Sequence, residues 1–221
     1  KGSLVLIDAC QSLAHQKLDV SDLDIDFLAG SGHKLCGPTG IGFLWSRKEI
    51  LEKIPPLFGG GEMIQDVFEE TSTWAELPHK FEAGTPAIAE AIGLAEAINY
   101  INTIGLNEIH EYEKNITKYL FEKLNQIENI EIIGPSPEID PDRASLATFY
   151  IKNIHSNDIA EILDSKGICI RSGHHCCQPL HRYIGIKSTA RISMNFTTNK
   201  EEIDIFIEKL KDTIDFLKIN S

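Results

Sequence analysis

The stretch RSGHHCCQPL, residues 171–180, sets two histidines directly against two cysteines. Three chemistries use such residues: metal ligation, dithiol redox exchange and attack by a thiolate. Zinc ligation favours spacings such as C-x2-C, which let two ligands converge on a tetrahedral ion. Adjacent residues in extended backbone point to opposite sides, so Cys176 and Cys177 are expected to diverge, as are His174 and His175. A dithiol pair meets the same obstacle, because a disulfide between neighbours is strained and redox motifs separate their cysteines by two residues. A nucleophilic cysteine uses more of the stretch. Arg171, His174 and His175 supply positive or hydrogen-bonding neighbours that favour a thiolate, and a glycine-containing loop supplies exposure. The plain alternative is a loop with two incidental thiols. Arg191, in TARISM, could hold a carboxylate with its bidentate fork; its plain alternative is a surface salt bridge on an edge strand.

A second group of candidates sits near the start of the chain. Lys34, in SGHK, follows an apolar run, and burying an ammonium is expensive. It is either a lysine already back in solvent or a Schiff-base lysine whose amine is activated by desolvation. Ser31, Gly32 and His33 beside it suit a phosphate held close to the backbone. Asp8 closes the run LVLID, and strand carboxyl ends line the ligand crevice of open α/β sheets. It either caps a turn or pairs with a protonated pyridine nitrogen, the partner a pyridoxal cofactor needs to act as an electron sink. Asp8 and Lys34 on neighbouring strand ends suit that cofactor better than either does alone.

These residues must be positioned by a folded framework. The 221 residues, 42% hydrophobic and 24% charged, are enough for one large domain or two small ones with a sizeable core. A net charge of −12 argues against a nucleic-acid partner, which needs a basic face. No apolar run approaches the ~20 residues of a membrane span. Five cysteines, Cys10, Cys36, Cys169, Cys176 and Cys177, form an odd set best read as reduced thiols of a cytosol-like compartment. The chain starts at Lys1 and enters an apolar run almost at once, so a preceding segment is expected.

Residues 4–8, 25–30 and 40–45 read as strands, the first two of the kind found in a sheet covered on both faces. Residues 55–63 read as loop. From about 88 helices take over. Ile109, Tyr112, Ile116, Leu120, Leu124 and Ile127 form the stripe of one amphipathic helix. Strands are expected at 130–133, 146–151 and 168–171, and a last helix at 200–217, capped by Asn199 with Glu202. The expected organisation is α/β: residues 1–88 as a sheet-rich part, then 89–221 as a connecting helix and a smaller α+β unit.

The motifs IDACQS, SGHKLCGPTGIG, FEAGTP, RSGHHCCQPL and TARISMNF, in this order, resemble the pyridoxal-phosphate-dependent cysteine desulfurases of the SUF type (group II), in the class V aminotransferase superfamily. The resemblance implies the end of the large domain of a fold-type I pyridoxal enzyme, followed by its small domain. It implies that Lys34 binds pyridoxal phosphate and moves the Cα proton, that Asp8 pairs with the pyridine nitrogen, and that Gln11 bonds the ring oxygen. Ser31 and His33 would bind the cofactor phosphate, with Thr85 reaching it from the other subunit of a homodimer. Arg191 would bind the substrate carboxylate with Arg171 near, and Cys176 would take sulfur from L-cysteine as a persulfide. A SUF acceptor protein and iron–sulfur assembly would follow, in cytoplasm or plastid stroma. L-Selenocysteine lyase activity, a related class V enzyme, and a non-catalytic thiol or zinc sulfur-relay module are the competing readings. The family is about twice this length, and its first half supplies a ring-stacking histidine, an asparagine and a threonine. The residue after the nucleophile is usually small in the family, often alanine; here it is Cys177.

Overall fold

The computed structural model describes residues 2–219. The chain divides into two compact units, one ending at Asn107 and the other beginning at Glu108.

In the first unit, β1 (Leu6–Asp8) runs parallel to β2 (Phe27–Ser31), and β3 (Gly42–Ser46) pairs antiparallel with β2. Side chains alternate across the sheet. Ile7, Leu28 and Trp45, in register, pack with Ala9, Ile25, Leu13, Leu18 and Val20 on one face. The other face carries Leu6, Asp8 and Leu44, and there Leu6 is 58% and Leu44 56% exposed. The apolar runs predict a sheet covered on both faces, yet this chain covers one.

After β3 comes the single turn α1 (Lys48–Leu51). The buried Lys80 donates its ammonium to the carbonyls of Leu51 and Glu52 at 3.0 and 3.1 Å, satisfying the end of that turn. A hairpin, β4 (Ile64–Val67) and β5 (Ser72–Trp74), follows the expected loop. Then α2 (Ile88–Ile104) buries Leu94, Ala97 and Ile101 before Gly105, at φ 95°, ends it.

The second unit takes most of α3 (Leu106–Leu124), β6 (Ile130–Ile133), β7 (Leu146–Ile151), α4 (Ser156–Ser165), β8 (Arg171–Gly173), α5 (Gln178–Ile184), β9 (Thr189–Ser193) and α6 (Lys200–Ile219). Its sheet has the order β6-β7-β9-β8 with every pair antiparallel. Ala147, Phe149, Ala190 and Ile192 turn one face of it onto Leu120, Leu163, Phe206 and Leu210 of the helices. Burying each large side chain contributes roughly 1.5–3 kcal/mol. The α3 stripe is buried at Ile109, Ile116, Leu120 and Leu124, but Tyr112 turns outward and donates its hydroxyl to the Thr198 carbonyl at 2.8 Å. Asn199 and Glu202 exchange backbone-to-side-chain bonds at 2.8 and 2.9 Å, the reciprocal cap that fixes the start of α6.

Candidate active site

Because β1 and β2 are parallel, their carboxyl ends lie at one edge of the sheet. Asp8 is the last residue of β1 and Ser31 the last of β2. The chain then tightens into a 3₁₀ turn, Gly32–Leu35, that carries an exposed His33 and a half-buried Lys34. The turn can lie here because Gly32 has no side chain. A Cβ would stand 2.7 Å from the Ile41 side chain and 2.9 Å from its carbonyl.

The Asp8 carboxylate accepts the Cys10 amide at 3.0 Å. The Cys10 thiol and amide, together with the Lys34 charge, hold the Asp8 carboxyl below the usual carboxylate range. In turn the carboxylate pushes the Cys10 thiol up. A carboxylate kept anionic is what a protonated pyridine nitrogen requires, so this edge fits a pyridoxal ring. The Ser31 hydroxyl and His33 Nδ1 stand 3.2 Å apart, forming a small polar pair beside the turn. Gln11 is exposed where the chain leaves β1. Thr85 sits elsewhere in this unit, lining a cavity of about 690 Å³ with Gly40, Gly42, His79 and Glu82.

The second cluster belongs to the second unit. Arg171 of β8 and Arg191 of β9 are register partners, as are Gly173 and Thr189. All four lie on the sheet face opposite the core, which Ala190 and Ile192 occupy. β9 is an interior strand, between β7 and β8, so Arg191 does not sit on an edge. Burial and the neighbouring Arg171 charge pull the Arg191 guanidinium below its usual value. Its Nε is buried with no hydrogen-bond partner among the described residues. A planar cation with an open donor, pressed by a second cation, is a receptor for a carboxylate.

Arg171 Nη2 donates to the exposed Cys176 sulfur at 3.4 Å. Cys176 lines a cavity of about 430 Å³ with Arg171, His174, His175 and Gln178. The backbone here is not extended, as the argument from alternation assumes. His175 and Cys176 are left-handed, at φ 50° and 62°, inside a turn closed by the Cys177 amide on the His174 carbonyl at 2.9 Å. Left-handed residues other than glycine cost roughly 1–2 kcal/mol each and cluster at functional loops. The turn gives the thiols different neighbours: Cys176 meets Arg171, while Cys177 donates to the His174 carbonyl at 2.9 Å and lies 3.8 Å from His181 Nδ1.

Thr189 ties the loop to the sheet. Its hydroxyl lies 3.0 Å from His175 Nε2 and 3.1 Å from His181 Nε2. Burial first, then the Arg191 and Arg171 charges, lower the His175 pKa, so its ring favours the neutral form. Thr189, His181 and Cys10 are neighbours of these candidate residues that motif reading passes over. Thr189 is two residues before Arg191 on a strand, and His181 is four after Cys177. Those two periods are the signals that place them on the same faces.

The chain is 54% identical over 215 residues to a probable cysteine desulfurase of Synechocystis sp., covering 97% of this chain and 51% of the relative. The cysteine desulfurase CsdA of Escherichia coli, solved with an S-sulfonic acid, superimposes with a TM-score of 0.90 at 32% identity, covering 97% of this chain and 52% of that one. A C-DES variant with glycine covalently linked to its PLP cofactor gives 0.78 at 26% identity, covering 95% and 51%. The chain therefore spans about half the length of the relatives it matches, and the α/β fold read from its motifs is the fold of these pyridoxal enzymes. The sequence pattern of one family runs from residue 1 to residue 206, and the chain belongs to that family, the class V aminotransferases.

Proposed function

We propose that the whole protein is a pyridoxal-phosphate-dependent cysteine desulfurase that converts L-cysteine to L-alanine and captures the sulfur as a persulfide on Cys176. The observation that carries this reading is the exposed Cys176 thiol under the Arg171 guanidinium, on a sheet face where Arg171 is the register partner of a second arginine, Arg191, whose Nε has no hydrogen-bond partner among the described residues. A pyridoxal aminotransferase has no need of such a thiol, whereas sulfur abstraction does.

The roles follow from chemistry at named atoms. Arg191 takes the substrate carboxylate, which offsets one of the two charges of the facing arginine pair. Lys34 Nζ would hold the cofactor and would move the proton at the substrate Cα. Asp8 would hold the proton on the pyridine nitrogen, with Gln11, Ser31 and His33 as further contacts, and Thr85 would reach a second subunit's site. Pyridoxal phosphate, when bound, supplies the electron sink for the Cα bond. Cys176 attacks the substrate sulfur, and Arg171 stabilises negative charge on the thiolate.

A homodimer, a sulfur-acceptor protein serving iron–sulfur assembly, and a cytoplasmic site of action complete the reading. The five cysteines are an odd set, which suits reduced thiols. The test uses the full-length protein with L-cysteine and a thiol reductant. Alanine and sulfide form together, Lys34→Ala removes the visible cofactor absorption, and Cys176→Ser abolishes desulfuration. Desulfuration that survives Cys176→Ser overturns the nucleophile assignment.

A further inference from the structure

The reaction above makes no use of Cys177, yet Cys177 has the surroundings of an activated thiol. A nucleophile is recognised by a base within reach and by a third group that orients the base. His181 Nδ1 lies 3.8 Å from the Cys177 sulfur, and His181 Nε2 lies 3.1 Å from the Thr189 hydroxyl. His181 is 4% exposed and Thr189 1%, so this pair is held by packing rather than by solvent. Cys176, by contrast, has a cation on its sulfur in Arg171.

The Thr189 hydroxyl has one proton and two imidazole neighbours, His175 and His181. When it accepts from His175, it donates to His181 Nε2. His181 Nδ1 then carries the proton and donates to the Cys177 carbonyl, 3.2 Å away. When it donates to His175, His181 carries its proton on Nε2 and presents a Nδ1 lone pair to Cys177. The threonine thus sets whether His181 can act as a base.

We propose that Cys177 is a second sulfur station, taking the sulfane sulfur from Cys176 with His181 as proton acceptor and Thr189 as the group that orients it. This rests on the desulfurase reading of Cys176. The Cys177 thiol turns its hydrogen from the His174 carbonyl, 2.9 Å away, to His181 Nδ1 and gives up that proton, and its sulfur attacks the outer sulfur of the Cys176 persulfide. The sulfur–sulfur bond on Cys176 breaks, and the Cys176 thiolate leaves toward the Arg171 guanidinium. A persulfide now stands on Cys177, and the proton on His181 returns to solvent or to Cys176. No electrons enter or leave, so the step needs no oxidant. Neighbouring Cα atoms are ~3.8 Å apart, and a persulfide extends the first thiol by about 2 Å. Cys176 is exposed and Cys177 half-buried, so the transfer moves reactive sulfur inward from solvent.

The test is a single turnover of the full-length holoenzyme with one equivalent of L-cysteine and no acceptor or reductant. Persulfides are alkylated, the protein is digested with trypsin, and fragment ions of the 172–182 peptide locate the added sulfur. The expected result is sulfur on Cys176 first and then on Cys177, with none on either in Cys176→Ser. His181→Gln slows the rise on Cys177 relative to Cys176 by roughly a hundredfold, the scale of a positioned base. Thr189→Val does so more weakly, and Thr189→Ser restores the rate. Sulfur confined to Cys176 at all times overturns the second station and leaves the desulfurase reading intact. A Cys176–Cys177 disulfide with sulfide released in that first turnover also overturns it. Alanine formed with no sulfur on the peptide overturns both readings.

Discussion

Arg171 and Arg191 stand directly opposite one another across the β8–β9 pair, on the sheet face turned away from the core. Like charges in that register oppose strand pairing, and the charges acting on Arg191 are Arg171 and the Cys177 sulfur, with no carboxylate among them. A protein keeps such a pair where an anion is to be bound. Arg171→Gln should therefore raise stability by about 0.5 kcal/mol, measured by urea unfolding in a buffer of low anion content. The same variant should slow alkylation of Cys176 by iodoacetamide. A variant both less stable and equally reactive would contradict the anion-receptor account.

His175 reports the same field through its titration. Its folded pKa lies below the ordinary histidine value because of burial and the two arginines. The unfolded chain therefore binds the proton more readily than the folded one. The stability this ring contributes is present above the ordinary histidine pKa and is lost as pH falls through that value toward the folded one. NMR titration of the ring should give a midpoint below ~6.5, and Arg191→Gln should raise it.

The turn carrying Lys34 depends on the absent side chain of Gly32. Gly32→Ala places a methyl 2.9 Å from the Ile41 carbonyl, which is backbone and cannot swing aside. The expected loss is about 1–3 kcal/mol. In the full-length protein, cofactor content read from visible absorption should fall with it.

In the second unit, Phe149 is fully buried between the sheet and α6, with its ring 6.5 Å from that of Phe206. Phe149→Ala should cost about 3–5 kcal/mol, read as a lower urea midpoint at unchanged slope.

Asn199→Ala removes one arm of the reciprocal cap on α6. The expected cost is about 1 kcal/mol. Asn199→Asp keeps the acceptor and should recover most of it. Equal losses from both variants would place the effect outside the cap.

Periodic patterns made much of this architecture legible. β6, β7 and α6 lie where alternation and the 3.6-residue stripe place them, since each buries one continuous face. The β4–β5 hairpin escaped because its strands are short and bear Gln65, Asp66 and Thr73, which announce no face. α5 escaped because seven residues beginning Gln-Pro make too little stripe to count. Asp8, Lys34 and Cys176 could be named from residue type and motif. The Thr189 bridge could not, since it exists only once strand register brings Thr189 opposite Gly173 and helix α5 returns His181 to it. Tyr112 fits the stripe by spacing but its hydroxyl found a carbonyl at the surface instead.

The uncovered face of the first sheet has a practical consequence. β1 is an outer strand of its sheet, and Leu4, Leu6 and Leu44 are each more than half exposed. An open strand edge of this kind beside bare leucines is a template for aggregation. Overexpressed by itself, the chain should collect in inclusion bodies. Charged replacements such as Leu6→Lys and Leu44→Glu should return it to the soluble fraction.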